Sequence, residues 1–160
     1  MRIMFSSIKI LDVAPQFSLK GFHKDMTVNV DLESLREKWV VLFFYTSDYM
    51  TSSVAELQSI NAHYKKLAEK NTIILGISID SAIVHEAFVT SIGGLEFPLL
   101  SDSHHTTCID YNVYDEENAQ PFSGTFVIDP LGALAWYCVN NSKVQRKGVD
   151  LVKTLEELQN

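Results

Sequence analysis

The sequence predicts an α/β fold in which a mixed central sheet is flanked by helices. Three observations carry this expectation. Two unbroken apolar runs, WVVLFFY at 39–45 and IILGISI at 73–79, are separated by apolar residues at helical spacing, and a Pro-Gly turn joins two further short apolar runs beyond residue 120. An uninterrupted run of β-branched and aromatic residues suits a strand covered on both faces, whereas a strand with one wet face alternates.

Taken in order, residues 39–45 are a central strand, and YTSDYMTSSVAE at 45–56 leads from it into a helix. Val54, Leu57, Ile60, Tyr64 and Leu67 then recur at steps of three and four, one face of a helix ending near Lys70-Asn71. Residues 73–79 form a second buried strand, and the right-handed crossover rule makes it parallel to the first. Ile83, Ala87, Phe88 and Ile92 mark a short helix stopped by Gly93-Gly94. Thr125–Ile128 and Leu134–Val139 flank Asp129-Pro130-Leu131-Gly132, whose Pro and Gly fit a tight type I turn, so they form an antiparallel hairpin. Val149, Val152, Leu155 and Leu158 define a terminal amphipathic helix. A βαβα half followed by ββα is the order of a thioredoxin-like fold, expected here as one domain over residues 1–160.

Composition narrows the function. Thirteen Lys and Arg against twenty Asp and Glu give a formal charge of −7, which repels phosphate backbones and anionic lipid, so neither nucleic acid nor a membrane is an expected partner. No eighteen apolar residues run together, and the start, MRIMFSSIKILDVAPQF, lacks a signal-peptide cleavage pattern. A cytoplasmic protein is expected. The two cysteines, Cys108 and Cys138, show neither C-x-x-C nor metal-ligand spacing, and no metal or cofactor is called for.

Several stretches in order, Ala14-Pro15-Gln16-Phe17, KWVVLFFY, ILGISIDS, FPLLSD, DYNVYDEE, GTFVIDPLG and Val139-Asn140, resemble the peroxiredoxins of the alkyl hydroperoxide reductase C and thiol-specific antioxidant family, across about residues 10 to 158. The resemblance implies a peroxidatic Pro-x-x-x-Thr-x-x-Cys loop opening the first major helix, with an arginine just before the glycine of GTFVID. A helix N-terminus and a guanidinium would lower that thiol's pKa and stabilise the leaving oxygen. Here the proline position is Thr46, the threonine position Met50, the cysteine position Ser53 and the arginine position Ser123. Glu56 and Arg146 remain as supporting residues, the latter in VQRKGVD where the family reads Val-Gly-Arg-Ser-Val-Asp, with one extra residue after the arginine. Four simultaneous differences fit natural divergence better than an engineered exchange of one cysteine.

Serine does not replace the thiol. Peroxide reduction needs a soft, ionised sulfur that can pass to sulfenic acid, and an alkoxide has no such ladder. Ser53-Val54-Ala55-Glu56 fits instead a capping box, with the Ser53 hydroxyl on a helix amide and Glu56 reaching back to the amide of Ser53. A serine hydrolase is excluded by the missing G-x-S-x-G and by the lack of a flanking histidine. His104-His105 read as an exposed loop pair, Asp115-Glu116-Glu117 as a solvated acidic loop, and both cysteines as small buried or half-buried thiols. The resolving cysteine of the two-cysteine subgroup lies in a C-terminal tail, and Asn160 falls where that tail would begin.

The expected function is that of a peroxiredoxin-like protein without thiol peroxidase activity, serving as a binding, regulatory or oligomer-forming subunit. By resemblance it is a homodimer or higher oligomer, or a partner of an active peroxiredoxin paralogue. The alternative is an antioxidant oxidoreductase using Cys108 or Cys138 as a relocated redox thiol, with Arg146 or Lys147 as the helpful cation. A third possibility keeps the pocket for a ligand and, with Ser123 in place of arginine, favours a neutral one.

Overall fold

The computed structural model describes residues 8–140 and 144–160; the first seven residues of the start read above for a signal-peptide pattern lie outside them. The strands are β1 Ser18–His23, β2 Met26–Asp31, β3 Trp39–Phe44, β4 Thr72–Ser78, β5 Leu99–Ser101, β6 Tyr114–Asp115, β7 Gln120–Pro121, β8 Ser123–Ile128 and β9 Leu134–Asn140. The helices are α1 Thr51–Ala62, α2 Tyr64–Ala68, α3 Ala82–Ser91, α4 Thr106–Asp110 and α5 Gly148–Gln159. Seven strands form one sheet in the order β2-β1-β5-β4-β3-β8-β9, and β6 and β7 pair separately.

β3 lies inside the sheet, between β4 and β8, because both its faces are apolar. It runs parallel to β4, with Val41 opposite Ile74, and antiparallel to β8, with Val41 opposite Val127. Its alternating side chains feed two cores. Val41 and Phe43 join Leu57, Ile60, Phe88 and Leu155 beneath α1, α3 and α5, while Val40, Leu42 and Phe44 join Leu75, Tyr111 and Phe126 on the other face.

The β8-β9 hairpin forms as expected: the Gly132 amide donates to the Asp129 carbonyl at 2.9 Å, and Gly132 takes φ +86, a conformation only glycine adopts without strain. A bulge between Val127 and Ile128 follows, where Ala135 is left unpaired. It turns Trp136 toward the α5 side while Leu134 stays in the opposite core.

Several expectations require correction. The helix expected from Val54 to Lys70 is two, broken at His63, whose φ −106 and ψ 6 leave the helical region and whose Nδ1 bonds the Ser59 carbonyl at 2.9 Å. The break receives the start of α5, where the Gly148 amide donates to Ser59 Oγ at 2.9 Å. A Cβ on Gly148 would run into the Ser59 carbonyl and the His63 ring. In α5 the buried face is Leu151, Val152 and Leu155, and Val149 is exposed; in α3 Ile83 likewise points to solvent. The hairpin β1-β2 and the short β5 were not anticipated. Their turn, Lys24-Asp25, has two positive φ values without the usual Asn-Gly signature. His105 is half-buried and stacked on Tyr114 at 4.8 Å, and Asp115 sits in β6, its carboxylate accepting from the amides of Glu117 and Asn118.

Candidate functional site

The site lies where β3 ends and α1 begins. Phe44 pairs with Gly124, so the next residue, Tyr45, leaves the sheet opposite Ser123. The loop is fastened from below by a buried chain of polar groups. The Tyr45 hydroxyl donates to Asp48 Oδ1 at 2.7 Å, and Asp48 Oδ2 lies 2.7 Å from His85 Nδ1. His85 Nε2 is 3.0 Å from the Leu100 carbonyl, which only accepts, so this nitrogen carries a proton. The Asp48 amide in turn donates to Asp80 Oδ2, which also accepts from Ser78 Oγ. Burial, reinforced by the Asp48 carboxylate, pushes the Tyr45 hydroxyl well above its usual pKa and keeps it a neutral donor. Thus β3, β4, β5 and α3 jointly hold the loop.

The helix starts differently from the capping-box expectation. Its N-cap is Met50, extended at φ −68 and ψ 131, with no side-chain cap, and the Val54 amide bonds the Met50 carbonyl at 2.9 Å. Ser53 is therefore the third residue inside α1 and is buried, and Glu56 does not reach back to it. Glu56 was captured by a stronger partner. Its carboxylate accepts from the Arg146 amide at 2.7 Å, from Arg146 Nε at 2.8 Å and from Nη2 at 3.3 Å. Arg146 Nη1 donates to the Gly124 carbonyl and Thr125 Oγ1, both at 3.1 Å, and the guanidinium lies 3.4 Å over the Phe43 ring. Burial pulls the Arg146 pKa down, while the hydrogen bond to Glu56 and its charge oppose that shift.

Ser53 and Glu56, three residues apart, are thus both on the buried face of α1, and Arg146 joins Glu56 there. Thr46 and Ser123 are half-buried at the same end of the sheet, with Thr46 Oγ1 3.4 Å from the Pro121 carbonyl. Met50 is exposed at the rim. The Tyr45–Asp48–His85 chain escaped sequence reasoning because Asp48 and His85 are 37 residues apart and neither stands in a motif.

The two cysteines separate sharply. Cys108, in α4, is fully buried; burial first and Asp102 second push its pKa far above the usual thiol range. Cys138, expected to be buried or half-buried, is instead exposed on β9. It faces α5 in register with Thr125, which is in register with Phe43, so Phe43, Thr125 and Cys138 make one row across three strands. Arg146 lies over that row. Among the described residues, no cluster of three His, Cys, Asp or Glu is arranged to hold a metal, and no helix is long and apolar enough to cross a membrane.

Comparison with known proteins gives the same picture for most of the chain. The AhpC/TSA family matches residues 10–137. A putative peroxiredoxin, ycf42, of Porphyra purpurea is 30% identical over 158 residues, covering 95% of this chain and 79% of the relative. The crystal structure of Enterococcus faecalis AhpC superposes with a TM-score of 0.89 at 28% identity, covering 94% of this chain and 92% of that one. The mitochondrial 2-Cys peroxiredoxin of Plasmodium falciparum gives 0.87 at 30% identity, covering 94% of both chains. With its thioredoxin-like sheet, the loop-to-helix junction at the end of β3 and this match along its length, the chain belongs to the AhpC/TSA family of peroxiredoxins.

Proposed function

We propose that this peroxiredoxin-family chain has lost thiol-dependent peroxide reduction and acts as a non-catalytic binding, regulatory or oligomer-forming subunit. One observation carries the reading: the buried position on α1 three residues before Glu56, the partner of Arg146, holds the hydroxyl of Ser53, which has no electrons to give a peroxide at accessible potentials. The family's other reactive positions carry Thr46, Met50 and Ser123, so neither the lowered thiol pKa nor the second guanidinium is present. Two surfaces support an assembling role, as a homo-oligomer or with an active peroxiredoxin. One is the edge strand β9, bonded at Leu134 by Leu11 and Asp12 and exposing Tyr137 and Val139 farther along; the other is the loop face with exposed Tyr49 and Ile83. A cytoplasmic location belongs to the same proposal, supported by the absence of a cysteine framework in the sequence.

The test compares peroxide consumption by the protein with that of a Thr46→Pro, Met50→Thr, Ser53→Cys, Ser123→Arg variant, using dithiothreitol as donor. The reading expects no turnover from the parent chain and measurable turnover from the variant. Turnover by the parent, lost in Cys138→Ala, would overturn it in favour of a second reading.

That second reading has one specific observation behind it, the row Phe43–Thr125–Cys138 beneath the Arg146 guanidinium. An exposed thiol beside a cation suits a redox cysteine. Its thiolate would attack the peroxide O–O bond to form a sulfenic acid and release water or alcohol, and two thiol donors would then return it to the thiol as they become a disulfide. Cys108 offers no such route while it is buried.

A further inference from the structure

A cavity of about 200 Å³ lies between α5 and the β8-β9 hairpin. Its floor is apolar, made by Phe43, Ile60 and Leu151 with the half-buried Trp136 as a wall. Its mouth is formed by exposed residues, among them Cys138, Lys147 and Asp150. The bulge in the hairpin turns Trp136 toward α5, where it walls this space, and the row Phe43–Thr125–Cys138 runs along it to the surface.

We infer that this cavity is a binding site for a small neutral molecule built on a single ring. Size sets the first limit, since a dry apolar cavity of about 150 Å³ holds benzene, and this one has room for a ring with one small substituent. Charge sets the second. Arg146 borders the cavity, but its guanidinium is turned to Glu56, Gly124 and Thr125, so a carboxylate ligand would have to displace a buried carboxylate already in place. Lys147 and Asp150 at the mouth offset one another and favour neither sign. Trp136 in the wall offers aromatic surface for contact with a ring. None of this depends on Ser53 or on the lost peroxide chemistry.

The experiment titrates the full chain with p-cresol, and separately with benzoate, while methyl and indole resonances are followed by NMR. Saturable shifts are expected at Ile60, Leu151 and Trp136 with p-cresol, and at least tenfold weaker binding with benzoate. Thr154→Phe fills the cavity from its half-buried side and should abolish the shifts; Cys138→Phe, on an exposed position that tolerates bulk, should weaken p-cresol binding at least tenfold. The inference is overturned by the absence of saturable shifts, by benzoate binding equally well, or by both filled variants binding like the parent. It is overturned as well if p-cresol dissociates a dimer, because a second copy would then be the occupant.

Discussion

Replacing Arg146 by leucine tests whether Glu56–Arg146 is a buried, committed pair. The change removes two side-chain hydrogen bonds to Glu56, one to the Gly124 carbonyl and one to Thr125 Oγ1, and the guanidinium's contact with the Phe43 ring. The Glu56 side chain is only 6% exposed, so water does not replace what is lost, and the carboxylate keeps only the backbone amide of residue 146. Orphaning one partner of a buried ion pair costs about 3–5 kcal/mol. At about 2–4 °C per kcal/mol for a domain of this size, the thermal midpoint falls by about 6–20 °C. Glu56→Gln in the Arg146→Leu background should recover part of the stability. Urea unfolding provides the measurement. A loss under about 1 kcal/mol would refute the reasoning, since it is the behaviour of a solvated pair.

Three further outcomes are expected. Iodoacetamide at pH 8 should alkylate Cys138 in the native protein and reach Cys108 only in denaturant, because burial holds Cys108 in its thiol form; peptide mass spectrometry separates the two. Asp48→Ala should cost about 2–5 kcal/mol in urea unfolding by stranding the Tyr45 hydroxyl and His85 Nδ1, and should speed amide exchange in the 46–50 loop, whereas equal exchange rates would show that the loop is held by other means. Gly148→Ala should destabilise despite alanine's better helix propensity, because the added methyl meets the Ser59 carbonyl and the His63 ring. Calorimetry showing a raised midpoint would mean that α5 can retreat freely.

What could be read from the sequence was what local pattern determines. The β3 and β4 runs, the β8-β9 hairpin with its Pro-Gly turn, and the existence of α1, α3 and α5 all follow from periods and turn residues within a short window. The misreadings depend on distant contacts. Helical spacing through Tyr64 and Leu67 carries no sign that α5 approaches closely enough at Gly148 to break the helix at His63. Ser53-Val54-Ala55-Glu56 has the letters of a capping box, but a full guanidinium 90 residues away outcompetes a single backbone amide for the Glu56 carboxylate. Cys138 reads as a buried or half-buried thiol because its strand is apolar, and only the sheet order shows that β9 is an edge.

The same energetics explain how the fold would keep its shape under the proposed departures from the family's reactive set at residues 46, 50, 53 and 123. Met50 is exposed, and Thr46 and Ser123 are half-buried, so exchanges there meet water or a tolerant rim and cost little. Ser53 is buried, but a serine occupies nearly the volume of a cysteine and strains nothing around it. The groups that remain are of the opposite kind. Removing Glu56 or Arg146 strands a buried charge, and removing Tyr45, Asp48 or His85 breaks a buried chain in which each hydrogen bond satisfies the next. Residues at the rim can therefore change without unfolding the chain, while the supports beneath them cannot. The Glu56–Arg146 pair thus speaks for an intact scaffold and carries no weight for or against peroxide chemistry, and for the proposed loss of that chemistry the four-residue variant, and not the loss of any support residue, is the decisive measurement.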